Sequence, residues 1–186
     1  MPVRKSSRRR SARRASPRRT QRTRSAASGR RPNALSLLKE DHARVKSMFE
    51  RFERTNAHSA KQDLAERICR ELSLHAELEE EVFYPRVRES IADDDLMNEA
   101  EVEHTTAKEL IAKIEARAPS DGSFDALVKV LGEYVIHHVK EEESEMFPKV
   151  RRSDLDLAAL GEQMQRWKAQ HGEGKKKGAL ASLMGG

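Results

Sequence analysis

The sequence predicts an all-α fold: an antiparallel up-down four-helix bundle, followed by a short fifth C-terminal helix and preceded by a disordered basic N-terminal tail. Three observations carry that expectation. Apolar side chains recur at the 3- and 4-residue steps of an amphipathic helix along four stretches joined by short connections, the sequence form of antiparallel neighbours. With 36% charged and 4% aromatic residues, the 186-residue chain is too polar for a thick β-sandwich but can cover one face of several helices. Charge is also segregated: residues 1–32 hold 13 of the 36 Lys and Arg and no Asp or Glu, leaving 23 basic against 31 acidic side chains beyond them.

The net charge of +5 thus divides into +13 on the leading segment and −8 on the rest. The segment RRRSARRASPRRTQRTR has no aromatic residue and almost nothing apolar, so nothing offsets the entropy of ordering it, and residues 1–32 read as disordered. The bundle is expected over 33–170. Residues 171–186, with the run Lys175 to Lys177 among glycines, read as a flexible tail. No stretch approaches the roughly 20 apolar residues of a membrane span. The single cysteine, Cys69, fits a reducing compartment, and no apolar leader precedes the basic segment, which together predict a cytoplasmic protein.

Each helix has its own seam. The first, from Ala34 to Arg54, carries Leu35, Leu38, His42, Val45, Phe49 and Phe52. Ser59 and Gln62 have capping-box spacing and open a second helix with Leu64, Ile68, Leu72, His75, Glu79 and Val82; Pro85 should kink or end it. Asp93 to Asp95 give the third an acidic start suited to the helix dipole, ahead of Met97, Glu101, His104, Ala107 or Lys108, Ile111 and Ile114. After the turn at Pro119 and Gly122, Ser123 should cap a fourth helix with Phe124, Leu127, Leu131, Tyr134 or Val135, His138 and Glu142. Ser153 should start the short fifth helix bearing Leu157, Leu160, Met164 and Trp167.

The residues that interrupt these seams point to function, because an unpaired buried imidazole or carboxylate is costly. Every seam carries one mid-helix histidine, His42, His75, His104 or His138, and two add a glutamate four residues later, His75/Glu79 and His138/Glu142. Residues four apart share a helix face, so each pair aims a nitrogen and a carboxylate at one point. The stretches HAELEEEVFYP and HVKEEESEMFP echo one another, which makes the bundle two related helix pairs suited to two metal ions. In the triplets Glu79 to Glu81 and Glu141 to Glu143 only one residue can face inward, so Glu80, Glu81, Glu141 and Glu143 are expected on a solvated face. His58, His137 and His171 read as surface residues, Cys69 as a small core residue and Tyr84 as packing.

The order His, His-x-x-x-Glu, His, His-x-x-x-Glu over roughly 34–170 resembles the hemerythrin-like, or HHE cation-binding, domain. That resemblance implies a non-haem di-iron centre, oxo- or hydroxo-bridged, with His42 and His75 serving one iron, His104 and His138 the other, and Glu79 and Glu142 bridging. Manganese or zinc would also suit this imidazole and carboxylate set. Ferritin-like bundles, which use Glu-x-x-His, are matched once, by Glu101 and His104. The oxygen-carrying hemerythrins resemble a five-histidine site, whereas here Lys108 stands four after His104. The four nitrogens, the shared carboxylates and a bridging group leave about two of roughly 12 positions open. More open positions favour reaction with, or sensing of, O2, NO, peroxide or iron over reversible O2 carriage. Glu101, one turn before His104, is expected as an extra ligand or as an acceptor for an imidazole N–H.

The basic segment suggests a second partner. Arg8, Arg9, Arg10, Arg13, Arg14, Arg18 and Arg19 would neutralise phosphates of DNA or RNA without reading bases, placing the protein near the nucleoid. A transit peptide would share the Arg- and Ser-rich, acid-free composition, but the segment lacks interleaved apolar residues. The alternative reading of the whole chain is a nucleic-acid-associated structural protein whose bundle holds metal only for stability.

Overall fold

The computed structural model describes residues 32–183, with side chains through Gly172. The basic segment with Arg8, Arg9, Arg10, Arg13, Arg14, Arg18 and Arg19 lies outside the described residues. Helix α1 spans Ala34–Glu53, α2 His58–Leu78, α3 Tyr84–Ser90, α4 Asp94–Glu115, α5 Phe124–Glu141, α6 Phe147–Arg152 and α7 Leu157–Leu183. Two π-turns, Glu79–Phe83 and Glu142–Met146, join α2 to α3 and α5 to α6.

Helices α1 and α4 each pack against both α2 and α5, closing a four-membered ring, and α7 lies against α1 and α2. Two apolar clusters fix the directions. One gathers Leu38, Leu78, Phe83, Met97, Met146, Phe147 and Met164; the other gathers Val45, Phe49, Ile68, Leu72, Ile111, Leu131 and Val135. Along α1 the chain passes from the first cluster to the second, along α2 it returns, and α4 and α5 repeat the traverse. That alternation is the up-down antiparallel order. On α1, α2, α4 and α5 the histidine lies between the clusters, so a polar layer separates two hydrocarbon cores.

Local sequence explains the helix ends. Asn33 Oδ1 accepts from Ser36 N at 2.9 Å, and Asp93 Oδ1 from Leu96 N at 3.2 Å, each satisfying an otherwise unpaired N–H. The capping box expected at Ser59 and Gln62 does not form. Helix α2 opens at His58, which meets Pro119 O at 3.1 Å, and Gln62 Nε2 donates to Glu66. Ser123 stands at the cap position of α5, but its N–H and Oγ both donate to Asp121, the stronger acceptor. Helix α7 opens at Leu157, not Ser153, because Asp156 accepts from Ala158 N and Ala159 N while Ser153 Oγ donates to Val150 O. Its 27-residue helical backbone continues to Leu183, past the stop expected near residue 170 and into the tail read over 171–186. A glycine inside a helix costs only about 1 kcal/mol relative to alanine, and the Lys, Ala and Leu around these glycines are good helix formers.

Pro85 does not end its helix. A proline has no N–H and its ring collides with the carbonyl four residues back. In both repeats the π-turn meets this problem: Tyr84 N donates to Glu79 O and Phe147 N to Glu142 O, and Pro85 or Pro148 follows at the start of a new α-helix. The extra residue in each turn rotates the face that follows, bringing Phe83, Tyr84 and Val87 inward after Glu79, and Met146, Phe147 and Val150 after Glu142.

The docking of α7 rests on a close backbone approach. A Cβ on Gly161 would stand 2.9 Å from Ala34 N, Asn33 C and Pro32 O, whereas one on Gly122 would meet nothing within 4 Å. In an open helix Gly→Ala stabilises by about 1 kcal/mol. Here overpacking reverses the sign: Gly161→Ala is expected to destabilise by about 1–3 kcal/mol while Gly122→Ala stays near neutral, as measured by denaturant midpoints.

Candidate metal centre

Glu79 and Glu142 follow α2 and α5 as the first residue of each π-turn, in the polar layer, 0% and 2% exposed. The four histidines converge on the same layer as two pairs. His42 Nε2 lies 3.2 Å from His75 Nε2, and His104 Nε2 lies 3.2 Å from His138 Nε2. Each carboxylate spans both pairs. Glu79 Oε2 is 3.2 Å from His75 Nε2 and 3.3 Å from His104 Nε2; Glu142 Oε2 is 3.3 Å from His42 Nε2 and 3.8 Å from His138 Nε2. All six residues singled out in the sequence therefore meet, and donor atoms within the sets His42, His75, Glu79, Glu142 and Glu79, His104, His138 lie within 4.8 Å of one another.

A ring of carboxylates surrounds this layer. His42 Nδ1 faces Glu143 at 3.0 Å, His104 Nδ1 faces Glu80 at 3.1 Å and His138 Nδ1 faces Glu103 at 2.7 Å. His75 Nδ1 faces Asp41 at 3.6 Å. An ionised carboxylate only accepts, so it fixes the proton on Nδ1 and turns the Nε2 lone pair inward. The arrangement is internally repeated. The acid before each lone histidine, Asp41 or Glu103, serves the histidine of a His-x-x-x-Glu pair; the acid after each inward glutamate, Glu80 or Glu143, serves a lone histidine. Lysines hold the outer acids, Lys39 on Glu143, Lys108 on Glu80 and Lys168 on Asp41.

These contacts correct three expectations. Glu101 is neither ligand nor imidazole partner: its carboxylate turns outward to Arg88 at 2.7 Å, and Glu103 takes the expected role. Glu80 and Glu143 do not simply face solvent, since each reaches across to a histidine on another helix. Tyr84 does more than pack. Its ring stacks on His104, and its hydroxyl donates to Glu142 at 3.1 Å and sits 3.2 Å from His104 Nε2. The counterpart in the second repeat, Phe147, stacks on His42 without a hydroxyl.

Whether a cation suits this layer can be tested on the layer itself. Both oxygens of Glu79 and Oε2 of Glu142 are buried with no hydrogen-bond donor, and paired Nε2 atoms direct lone pairs at one another. Burial and the nearby Glu142 carboxylate push Glu79 well above the ordinary carboxylate range. Burial also raises Glu142, but His42 at 3.3 Å and the neighbouring imidazoles outweigh it and bring Glu142 down to about 2. Burial drives His75 down to about 4, keeping it neutral. Mutually repelling acceptors of this kind fit divalent cations, which need neutral imidazoles and ionised carboxylates.

Fold and donor set thus define a cation-binding helical bundle. Residues 33–150 match the hemerythrin HHE cation binding domain. The chain belongs to the hemerythrin HHE cation-binding family. A hemerythrin HHE cation binding domain-containing protein of Mycobacterium kansasii, solved by crystallography, superposes with a TM-score of 0.67 at 24% identity, covering 78% of this chain and 91% of that one. A Nostoc protein named DNA nickase is 32% identical over 145 residues, 78% of this chain but 40% of that protein's length.

The contact between Lys168 and the buried Asp41 ties α7 to the layer. Burial raises the Asp41 pKa, but His75 and Lys168 overcome it and bring it from 3.8 to about 2. Its folded-state pKa being depressed, the contribution of Asp41 is present above about pH 4 and lost as pH falls through 2. Lys168→Met is expected to destabilise by up to about 3 kcal/mol because it leaves the buried carboxylate only the half-exposed Arg44 as a cationic partner, and adding Asp41→Asn should recover part of that loss in a double-mutant cycle.

Proposed function

We propose that this chain is a non-haem di-iron protein, His42 and His75 holding one iron, His104 and His138 the other, with Glu79 and Glu142 shared, and that it reacts with or senses O2, NO, peroxide or iron instead of carrying O2. The observation that carries the reading is the span of each buried glutamate across both histidine pairs. Bound iron would supply redox chemistry and open coordination positions.

The chain's own residues set what reaches those positions. Val45, Leu72, Ala107, Ile111, Val135 and Val139 line a cavity of about 30 Å³ beside the four histidines. That is room for about one water-sized molecule, which favours a diatomic or peroxide over an organic substrate. The apolar walls exclude bulk water and strengthen the electrostatics of the layer. Tyr84 places a phenolic proton on Glu142 from the first apolar cluster, across the histidine layer from this chamber, which is walled by the second. Glu80 and Glu143, each half-buried between a histidine and a lysine, are positioned to hold the Nδ1 protons.

Aerobic iron loading of the full chain, with elemental analysis and absorption spectroscopy, tests the reading. About two irons per chain and a charge-transfer band are expected. His138→Ala and Glu79→Ala should each fall below two, and chelation should lower the melting temperature, because metal binding contributes to folding stability. A wild-type chain that takes up no iron defeats the proposal.

The basic segment supports contact with DNA near the nucleoid, and the name of the Nostoc relative is consistent with a nucleic-acid setting. In the alternative reading the chain is a nucleic-acid-associated structural protein and the metal serves stability alone; a loaded centre silent to O2, NO and peroxide favours it. Removing residues 1–32 should abolish a gel shift that weakens steeply with salt, and equal mobility of both forms would rule out the tether.

A further inference from the structure

The fifth helix breaks the internal symmetry of the layer. On one side Asp41 receives the ammonium of Lys168. Its counterpart Glu103, 8% exposed, accepts from His138 Nδ1 at 2.7 Å, and among the described residues no lysine or arginine pairs with it. The surface beside Glu103 differs in step. In the first repeat positions 74 and 78 are Leu74 and Leu78, packed in the apolar cluster that receives α7. The aligned positions of the second repeat are His137 and Glu141, a further His-x-x-x-Glu pair one residue out of phase with His138 and Glu142. His137 Nε2 lies 3.1 Å from Glu141 Oε1, the side chains 61% and 28% exposed. Donor atoms of Glu103, His137 and Glu141 fall within 4.8 Å of one another.

The geometry points to a second, solvent-facing cation site made by Glu103, His137 and Glu141, which takes a divalent transition ion and gives Glu103 the positive charge that Lys168 gives Asp41. One imidazole and two carboxylates suit Zn²⁺, Mn²⁺ or Fe²⁺, with water completing the shell. His138 uses Glu103 Oε2, which leaves Oε1 for the ion. Open to solvent, the site binds more weakly than the buried layer. Through Glu103 it lies one side chain from His138, where an ion bound outside is poised to load the layer. The site does not depend on what the buried layer holds.

The test is a Zn²⁺ titration of the iron-loaded full chain against a chromogenic chelator. Wild type is expected to take up about one further equivalent. His137→Ala and Glu141→Gln should lose it or bind it at least about tenfold more weakly, while His58→Ala, which alters another exposed histidine, retains it. His137 is exposed, so its removal leaves the core intact, which circular dichroism checks. Equal zinc uptake by wild type, His137→Ala and Glu141→Gln overturns the proposal, as does the absence of a further equivalent in wild type. A failure of the di-iron reading shows separately, as missing iron before zinc is added, and leaves the difference between wild type and His137→Ala readable.

Discussion

Two carboxylates and four imidazoles cannot share a dry layer between two hydrocarbon cores unless positive charge lies among them. Each helix carries its apolar residues on both sides of its histidine, so the layer cannot slide toward solvent without exposing one core. Protons meet the demand only in part: burial holds His75 down at about 4 and pushes Glu79 up, whereas at His42 and His138 the carboxylates alongside outweigh burial and raise both imidazoles. The acceptors left without donors converge at the centre, between the histidine pairs. The packing thus leaves buried acceptors that a cation satisfies, and the surrounding acids and lysines serve to orient the donors.

The helices and the six inward residues were legible in the sequence because both are in phase with a 3.6-residue repeat, and a polar residue in an apolar seam announces itself. The carboxylate ring was less legible because its contacts run between helices. Glu80 and Glu143 look solvated on their own helix, and only the neighbour order of the bundle shows that a histidine of another helix stands opposite. The available signal was short: an acid directly before each lone histidine and directly after each inward glutamate. Glu101 had the right phase, three residues before His104, but near the start of α4 it meets Arg88 first.

Tyr84 escaped for a different reason. A proline in a helical pattern reads as a break, and a break gives no guide to phase beyond it. The π-turn preserves the helical run while shifting its phase, so the residue before Pro85 swings onto the layer instead of away from it. The same device sets Phe147 against His42. In both repeats the turn begins at the inward glutamate. The proline is thus part of how the layer is walled on one side, and its place six residues after the glutamate is what lets one aromatic ring cover a histidine in each half.

The duplication makes the departures from it informative. A pair of equivalent half-layers would need no phenol on one side only, no ammonium on one acid only and no exposed histidine and glutamate where the other half has buried leucines. All three differences occur, and two concern the face of the first half against which α7 packs and its counterpart on the second. The fifth helix covers an apolar seam and neutralises Asp41 in one stroke; on the open face the seam is replaced by ligating side chains and the neutralising charge is left to the solvent. The halves share one donor layer but reach solvent by different means, so they should not exchange ions, protons or small ligands at the same rate.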